Sequence, residues 1–146
     1  MEVRMVDENT AIQAAGLCAC AFDFSSEDHL KTEEILMEER KNPRTYNDSC
    51  WKDRVVAVED DKVIATVGCY QYQVYFDGQI VNMSAIGGVA TYPEYRNKGA
   101  IRECFQKSFE YMEQNNQVLS FMYPFSSSYY RQFGYGPLCS HTEWLI

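Results

Sequence analysis

Several things are missing from this chain of 146 residues, and each absence removes a class of function. No apolar run approaches the length that spans a bilayer, and the opening residues Met1 to Val6 lack the apolar core of a signal peptide. A cytoplasmic location and no membrane partner are therefore expected. The six cysteines contain no Cys-x-x-Cys pair, and Cys18-Ala19-Cys20 is too tight for the usual zinc spacing. Most of them stand among apolar neighbours, where cysteine behaves as a small hydrophobe, so buried thiols and no metal are expected. The two histidines, His29 and His141, belong to no ligand pattern.

A surplus of positive charge is absent too. The net charge of −8 argues against nucleic acid as the main partner, because neutralising phosphates needs a broad basic surface. The acidic remainder favours cationic partners such as amines. No Gly-Lys-Ser/Thr follows the glycine turn described below, which disfavours a P-loop nucleotide hydrolase. Repeats, linkers and low-complexity segments are missing as well. The length suits one domain with its own core.

The chain is organised around residues 85–112. The stretch Ala85-Ile86-Gly87-Gly88-Val89-Ala90-Thr91 reads as the end of a buried strand, which Pro93 stops because it has no N–H for a ladder. A polar turn follows over 94–99. Beyond it Ile101, Cys104, Phe105, Phe109 and Met112 recur at spacings that share one helix face. A helix start leaves amides without partners and carries partial positive charge. Gly99 permits close backbone approach, and Arg96, Lys98 and Arg102 add charge, so the turn suits an anion. Screening acts over roughly 8 Å, so this local island outweighs the distant acidic surface.

The remaining elements follow in order. A strand is expected over 3–6 and a helix over 11–21, with Asp7, Asn9 and Thr10 as cap candidates. A second helix is expected over 26–41, ended by Asn42-Pro43, and a loop over 46–53 in which Trp51 is a packing residue ahead of a substrate wall. Strands are expected over 54–59, 63–75 and 79–91, joined by short turns at Asp60-Asp61-Lys62 and Phe76-Asp77-Gly78 and therefore antiparallel. Gly87-Gly88 marks a bulge or a close backbone approach in the third of these. After Asn115-Asn116 a strand over 118–123 is parallel through its helical crossover. Ser126 caps a short helix over 129–133, and 138–146 alternates as a last strand. The apolar ending Trp144-Leu145-Ile146 reads as an end cut within or just after a strand.

Arg96-Asn97-Lys98-Gly99-Ala100 resembles the pyrophosphate signature of the GNAT acetyltransferase superfamily, Arg/Gln-x-x-Gly-x-Gly/Ala, with Ile101 departing from the sixth position. With Arg102 and Phe133-Gly134-Tyr135-Gly136, the chain is similar to the N-terminal domain of Eis-type acetyltransferases. The resemblance implies an α/β (α+β) GNAT fold, a mixed, mostly antiparallel sheet splayed beside its central strand and flanked by helices. It implies one GNAT domain over 1–146, the N-terminal part of a longer chain with a second GNAT-like and a sterol-carrier-like domain. It also implies acetyl-CoA as co-substrate and a primary amine, aminoglycoside- or lysine-like, as acceptor, flanked by the first two helices. Val89, Ala90 and Thr91 would line the pantetheine arm. Arg96, Asn97, Lys98, Gly99, Ala100, Ile101 and Arg102 would hold the diphosphate, and Phe125 and Ser126 would touch the coenzyme. Tyr130, three residues before Phe133, would be the general acid, and an N–H of Val89 or Ala90 would polarise the thioester carbonyl. No general base is legible. In mycobacterial relatives the carboxylate at the end of the full chain serves the site; here Glu33, Glu34 or a water chain are the substitutes. A homo-oligomer is possible by the same likeness. The competing expectation is a domain that holds coenzyme A without turnover.

Overall fold

A computed structural model describes residues 1–22 and 51–140. The helix expected over 26–41, Cys50, Glu33, Glu34 and both histidines lie outside the described residues.

Strand β1 (Glu2–Met5) leads into helix α1 (Glu8–Phe22). Asp7 starts α1. Its Oδ1 accepts from the Thr10 N–H at 2.8 Å and its own N–H donates to Thr10 Oγ1 at 3.0 Å, so each end of the turn satisfies the other. Strands β2 (Arg54–Glu59), β3 (Lys62–Phe76) and β4 (Gln79–Thr91) form an antiparallel meander. Both hairpins close on two-residue turns at positive φ, Asp60-Asp61 and Asp77-Gly78.

Helix α2 (Ala100–Gln114) crosses back to β5 (Gln117–Met122), which runs parallel to β4. A short helix α3 (Ser127–Tyr130) and a 3₁₀ turn (Arg131–Phe133) follow. Ser126 caps α3 by accepting from the Tyr129 N–H, as its type and position suggest. Leu138 to Ser140 are irregular, so the described part of the expected last strand is not one. Too little apolar side-chain area is covered there to hold a ladder: Leu138 is 92% exposed.

The sheet order is β1-β2-β3-β4-β5, with four antiparallel strands and one parallel edge. Helix α2 buries Ala100, Cys104, Phe105, Ser108 and Met112 against one face, over Val55, Ala57, Val67 and Cys69. Ser108 takes an interior place because its hydroxyl donates to the Cys104 carbonyl at 2.8 Å, while Phe109 stays at the rim. Helix α1 covers the other face with Ala14, Leu17 and Cys18 over Val56, Val63 and Ala90. No helix among the described residues is long and apolar enough to cross a membrane.

Candidate functional site

The central strand outruns its neighbour. Pairing between β4 and β5 ends at Ile86 with Met122, yet β4 continues to Thr91. On its other side β4 stays paired to β3 through a bulge. Gly68 faces Gly87 and Thr66 faces Ala90, so Gly88 and Val89 together oppose one residue. Gly88 sits at φ +54°, which sets the local turn of the strand. The Tyr92 N–H bonds the Ile64 carbonyl at 3.2 Å. Strand alternation then turns the Ala90 amide toward β3 and leaves that of Thr91 facing the open seam.

The seam runs into the turn. After Pro93–Tyr95 the chain is extended at Arg96, passes through φ +63° at Asn97 and φ +84° at Gly99, and enters α2. Only an unhindered backbone reaches that last value, and Gly99 has no atom within 4 Å of where a Cβ would be. The amide of Glu103 bonds the Gly99 carbonyl at 3.1 Å, and no side chain caps the helix. The amides of Ala100, Ile101 and Arg102 are therefore left for a ligand. Cations surround them. Lys98 Nζ lies 4.7 Å over the Tyr95 ring, and Arg102 Nη2 reaches Gln132 Oε1 at 3.4 Å.

Seam and turn share one cavity of about 1000 Å³. Of the residues singled out from sequence, Val89, Ala90, Thr91, Arg96, Asn97, Gly99, Ala100, Ile101, Arg102 and Phe125 line it. Lys98, Ser126 and Tyr130 do not. Lys98 is drawn to Tyr95, Ser126 is engaged as a cap, and Tyr130 is 4% exposed within the core. The lining also includes Ala21 and Phe22 from the end of α1, Tyr95, and Tyr129, Gln132 and Phe133.

Aromatic packing delivers those last three. Phe133 stacks on Phe105 of α2 with ring centroids 4.1 Å apart, and Tyr130 meets Phe105 edge-on at 6.1 Å. This fixes α3 so that Tyr129, not Tyr130, faces the cavity. Burial pushes the Tyr130 hydroxyl up to about 12. Among the described residues no three His, Cys, Asp or Glu side chains are grouped to hold a metal.

A second polar group lies at the bulge, on the α1 side. Arg54 Nη1 donates to Cys18 Sγ and Thr66 Oγ1, both at 3.1 Å, and Nη2 donates to Tyr70 Oη at 2.6 Å. The Tyr70 ring lies over Gly68 and Gly87, where any Cβ would meet it. Burial raises the Tyr70 phenol, with the Arg54 charge opposing. Their spacing in the sequence gives no sign that Arg54 joins Cys18, Thr66 and Tyr70.

The family model of the acetyltransferase (GNAT) domain matches residues 2–138. No curated protein matches. Among solved structures, a conserved Enterococcus faecalis protein, a probable N-acyltransferase, is 25% identical with a TM-score of 0.73. The match covers 92% of this chain and 31% of that one, so this chain spans about a third of its relative's length. Glucosamine-6-phosphate N-acetyltransferase from Arabidopsis thaliana shares the fold at 11% identity and a TM-score of 0.75, over 99% and 97% of the two chains. A predicted acetyltransferase from Clostridium acetobutylicum, solved with acetyl-CoA, does so at 12% and 0.74, over 99% and 95%. A parted β4–β5 seam, an uncapped helix start behind Arg96-Asn97-Lys98-Gly99-Ala100 and a matching family model together make this chain a member of the GNAT acetyltransferase domain family.

Proposed function

We propose that the chain is an acetyl-CoA-dependent N-acetyltransferase in which a primary amine, aminoglycoside- or lysine-like, attacks the bound thioester directly. The observation that carries this reading is the continuity of the cavity, from unbonded α2 amides at one end to the unpaired edge of β4 at the other. A diphosphate suits the first, because amides and cations converge there. An extended arm suits the second, because a strand edge offers N–H and C=O groups to an added chain. We read the chain as one GNAT domain, Eis-type, cytoplasmic, and the first part of a longer protein.

When bound, acetyl-CoA supplies an acyl group already activated as a thioester. The residues of this chain do the rest. Gly99, Ala100, Ile101 and Arg102 donate backbone N–H groups to phosphate, while Arg96, Lys98 and Arg102 supply charge and Asn97 shapes the turn. Thr91 and Val89 hold the arm, Ala90 packs behind them under α1, and Phe125 closes the far wall while Ser126, the cap of α3, stands next to it in the chain. Holding the two reactants together provides most of the acceleration.

Tyr130 is the proposed proton donor to the departing sulfur. A complete proton transfer from a phenol near 12 to a thiolate near 8.5 runs uphill by roughly 5 kcal/mol. Its contribution is therefore a hydrogen bond, toward the low end of the roughly 10²–10⁴ range of acid catalysis. The burial of Tyr130 also favours a second reading, a domain that holds coenzyme A without turnover. Calorimetry with acetyl-CoA tests both. Thiol release with polyamines, aminoglycosides and lysine derivatives separates them, because binding without release of thiol supports the second.

A further inference from the structure

The bulge of β4 is held from behind by a charge. Arg54 stands at the start of β2, half-buried, and its guanidinium spends three N–H groups on Cys18, Thr66 and Tyr70. Among the described residues no carboxylate pairs with it. Its surroundings are close-fitted. A Cβ on Gly88 would lie 3.0 and 3.1 Å from the two terminal nitrogens and 3.3 Å from Cys18 Sγ.

The hydrogen bonds have a direction. A guanidinium only donates, so Arg54 Nη1 occupies a lone pair of Cys18 Sγ and leaves the thiol proton for another acceptor. That acceptor is the Gly88 carbonyl, 3.6 Å from the sulfur. Peptide planarity carries the consequence one atom further. No peptide bond is cis, so the N–H of Val89 points opposite to the Gly88 carbonyl. With that oxygen tied to α1, the Val89 N–H is turned away from α1, and Val89 lines the cavity.

We propose that Arg54 and Cys18 are positioning residues: by holding the Gly88 carbonyl on the α1 side, they aim the Val89 N–H into the seam at the carbonyl oxygen of the acyl donor. The inference rests on the acetyl-transfer reading and adds to it the machinery that orients its oxyanion donor. A donor fixed before the reaction costs no reorganisation as charge builds on that oxygen. The relay also polarises the donor, since a cation bonded to the sulfur strengthens the next bond in the chain. Neither side chain touches the substrate.

The test follows the Val89 amide of the ¹⁵N-labelled chain by NMR as acetyl-CoA, and separately coenzyme A, is added. Acetyl-CoA is expected to move the Val89 proton downfield relative to coenzyme A. Cys18→Ala should shrink that difference, and Cys18→Ser, which keeps a donor and an acceptor, should restore it. In thiol release Cys18→Ala is expected to lower kcat about three- to tenfold, a fraction of what loss of a whole oxyanion donor costs, with acetyl-CoA affinity within about twofold. Arg54→Lys should retain more turnover than Arg54→Met. The relay is overturned if folded Cys18→Ala keeps the wild-type shift and kcat, or if Cys18→Ser behaves as Cys18→Ala. A Val89 proton that ignores bound acetyl-CoA overturns the relay alone. Failure of the wild type to bind acetyl-CoA overturns the acetyl-transfer reading and the relay with it.

Discussion

Replacing Gly88 by alanine puts a methyl group where β4 passes over the Arg54 guanidinium. Two separable costs follow. The first is backbone strain, since φ of +54° in an L-residue costs about 1–2 kcal/mol. The second is contact, because the new Cβ would sit 3.0 Å from Arg54 Nη1 and 3.3 Å from Cys18 Sγ. The guanidinium has to give way, and its bonds to Cys18, Thr66 and Tyr70 resist. Losing one bond from a charged donor costs about 1.5–3 kcal/mol, which brings the total to about 2.5–5 kcal/mol. Gly99→Ala supplies the control, because φ there is +84° and no atom lies within 4 Å of the new Cβ. It carries the strain without the contact. Urea denaturation should give Gly88→Ala a midpoint well below that of Gly99→Ala, with unchanged m-values. Equal midpoints for the two variants would refute the packing of Arg54 against the bulge.

Three further outcomes are expected. Arg96→Ala and Lys98→Ala should each weaken acetyl-CoA binding in calorimetry, with the loss shrinking at high salt because the contacts are ionic; a loss that ignores salt would point to damaged folding. Tyr130→Phe should lower turnover about a hundredfold while affinity and stability hold, since Phe keeps the ring contacts with Phe105. With its hydroxyl pushed up to about 12, Tyr130 stays protonated across the assay range and should add no alkaline limb below about pH 10. Asp7→Ala should destabilise the fold by about 1 kcal/mol at pH 7, as a lost helix cap does. The Thr10 hydrogen bonds hold the Asp7 carboxyl at about 2, below its ordinary 3.8, so its contribution is present above pH 4 and vanishes as pH falls toward 2. A variant whose deficit persists unchanged at pH 2 would contradict this.

The parts of the site that could be read from sequence are those whose physics is local. Ile101, Cys104, Phe105 and Met112 announce α2 because a helix brings residues three and four apart onto one face. The turn before it shows in Gly99 and its basic neighbours, and the hairpin in Asp77-Gly78, for the same reason. Even the bulge was visible, because Gly87-Gly88 interrupts a β-branched run. Long-range contacts left no such trace. The partners of Arg54 lie 36, 12 and 16 residues away, and spacing gives no hint that α1, β2 and β3 bring them together. Asp53 is similar, since its buried carboxylate accepts from Gln71 at 3.0 Å and from Tyr111 at 2.8 Å, across three elements. Tyr129 and Tyr130 are adjacent, and only the stacking of Phe133 on Phe105 decides which faces the cavity.

The account stands most directly on where the coenzyme lies. A crystal structure of the chain with acetyl-CoA should place diphosphate oxygens about 2.7–3.2 Å from the amides of Ala100 to Arg102. The acyl arm should lie along Val89 and Thr91, in the gap that opens past Ile86 and Met122. Acetyl-CoA found elsewhere on the molecule, with the α2 amides bonded to the chain itself, would contradict it.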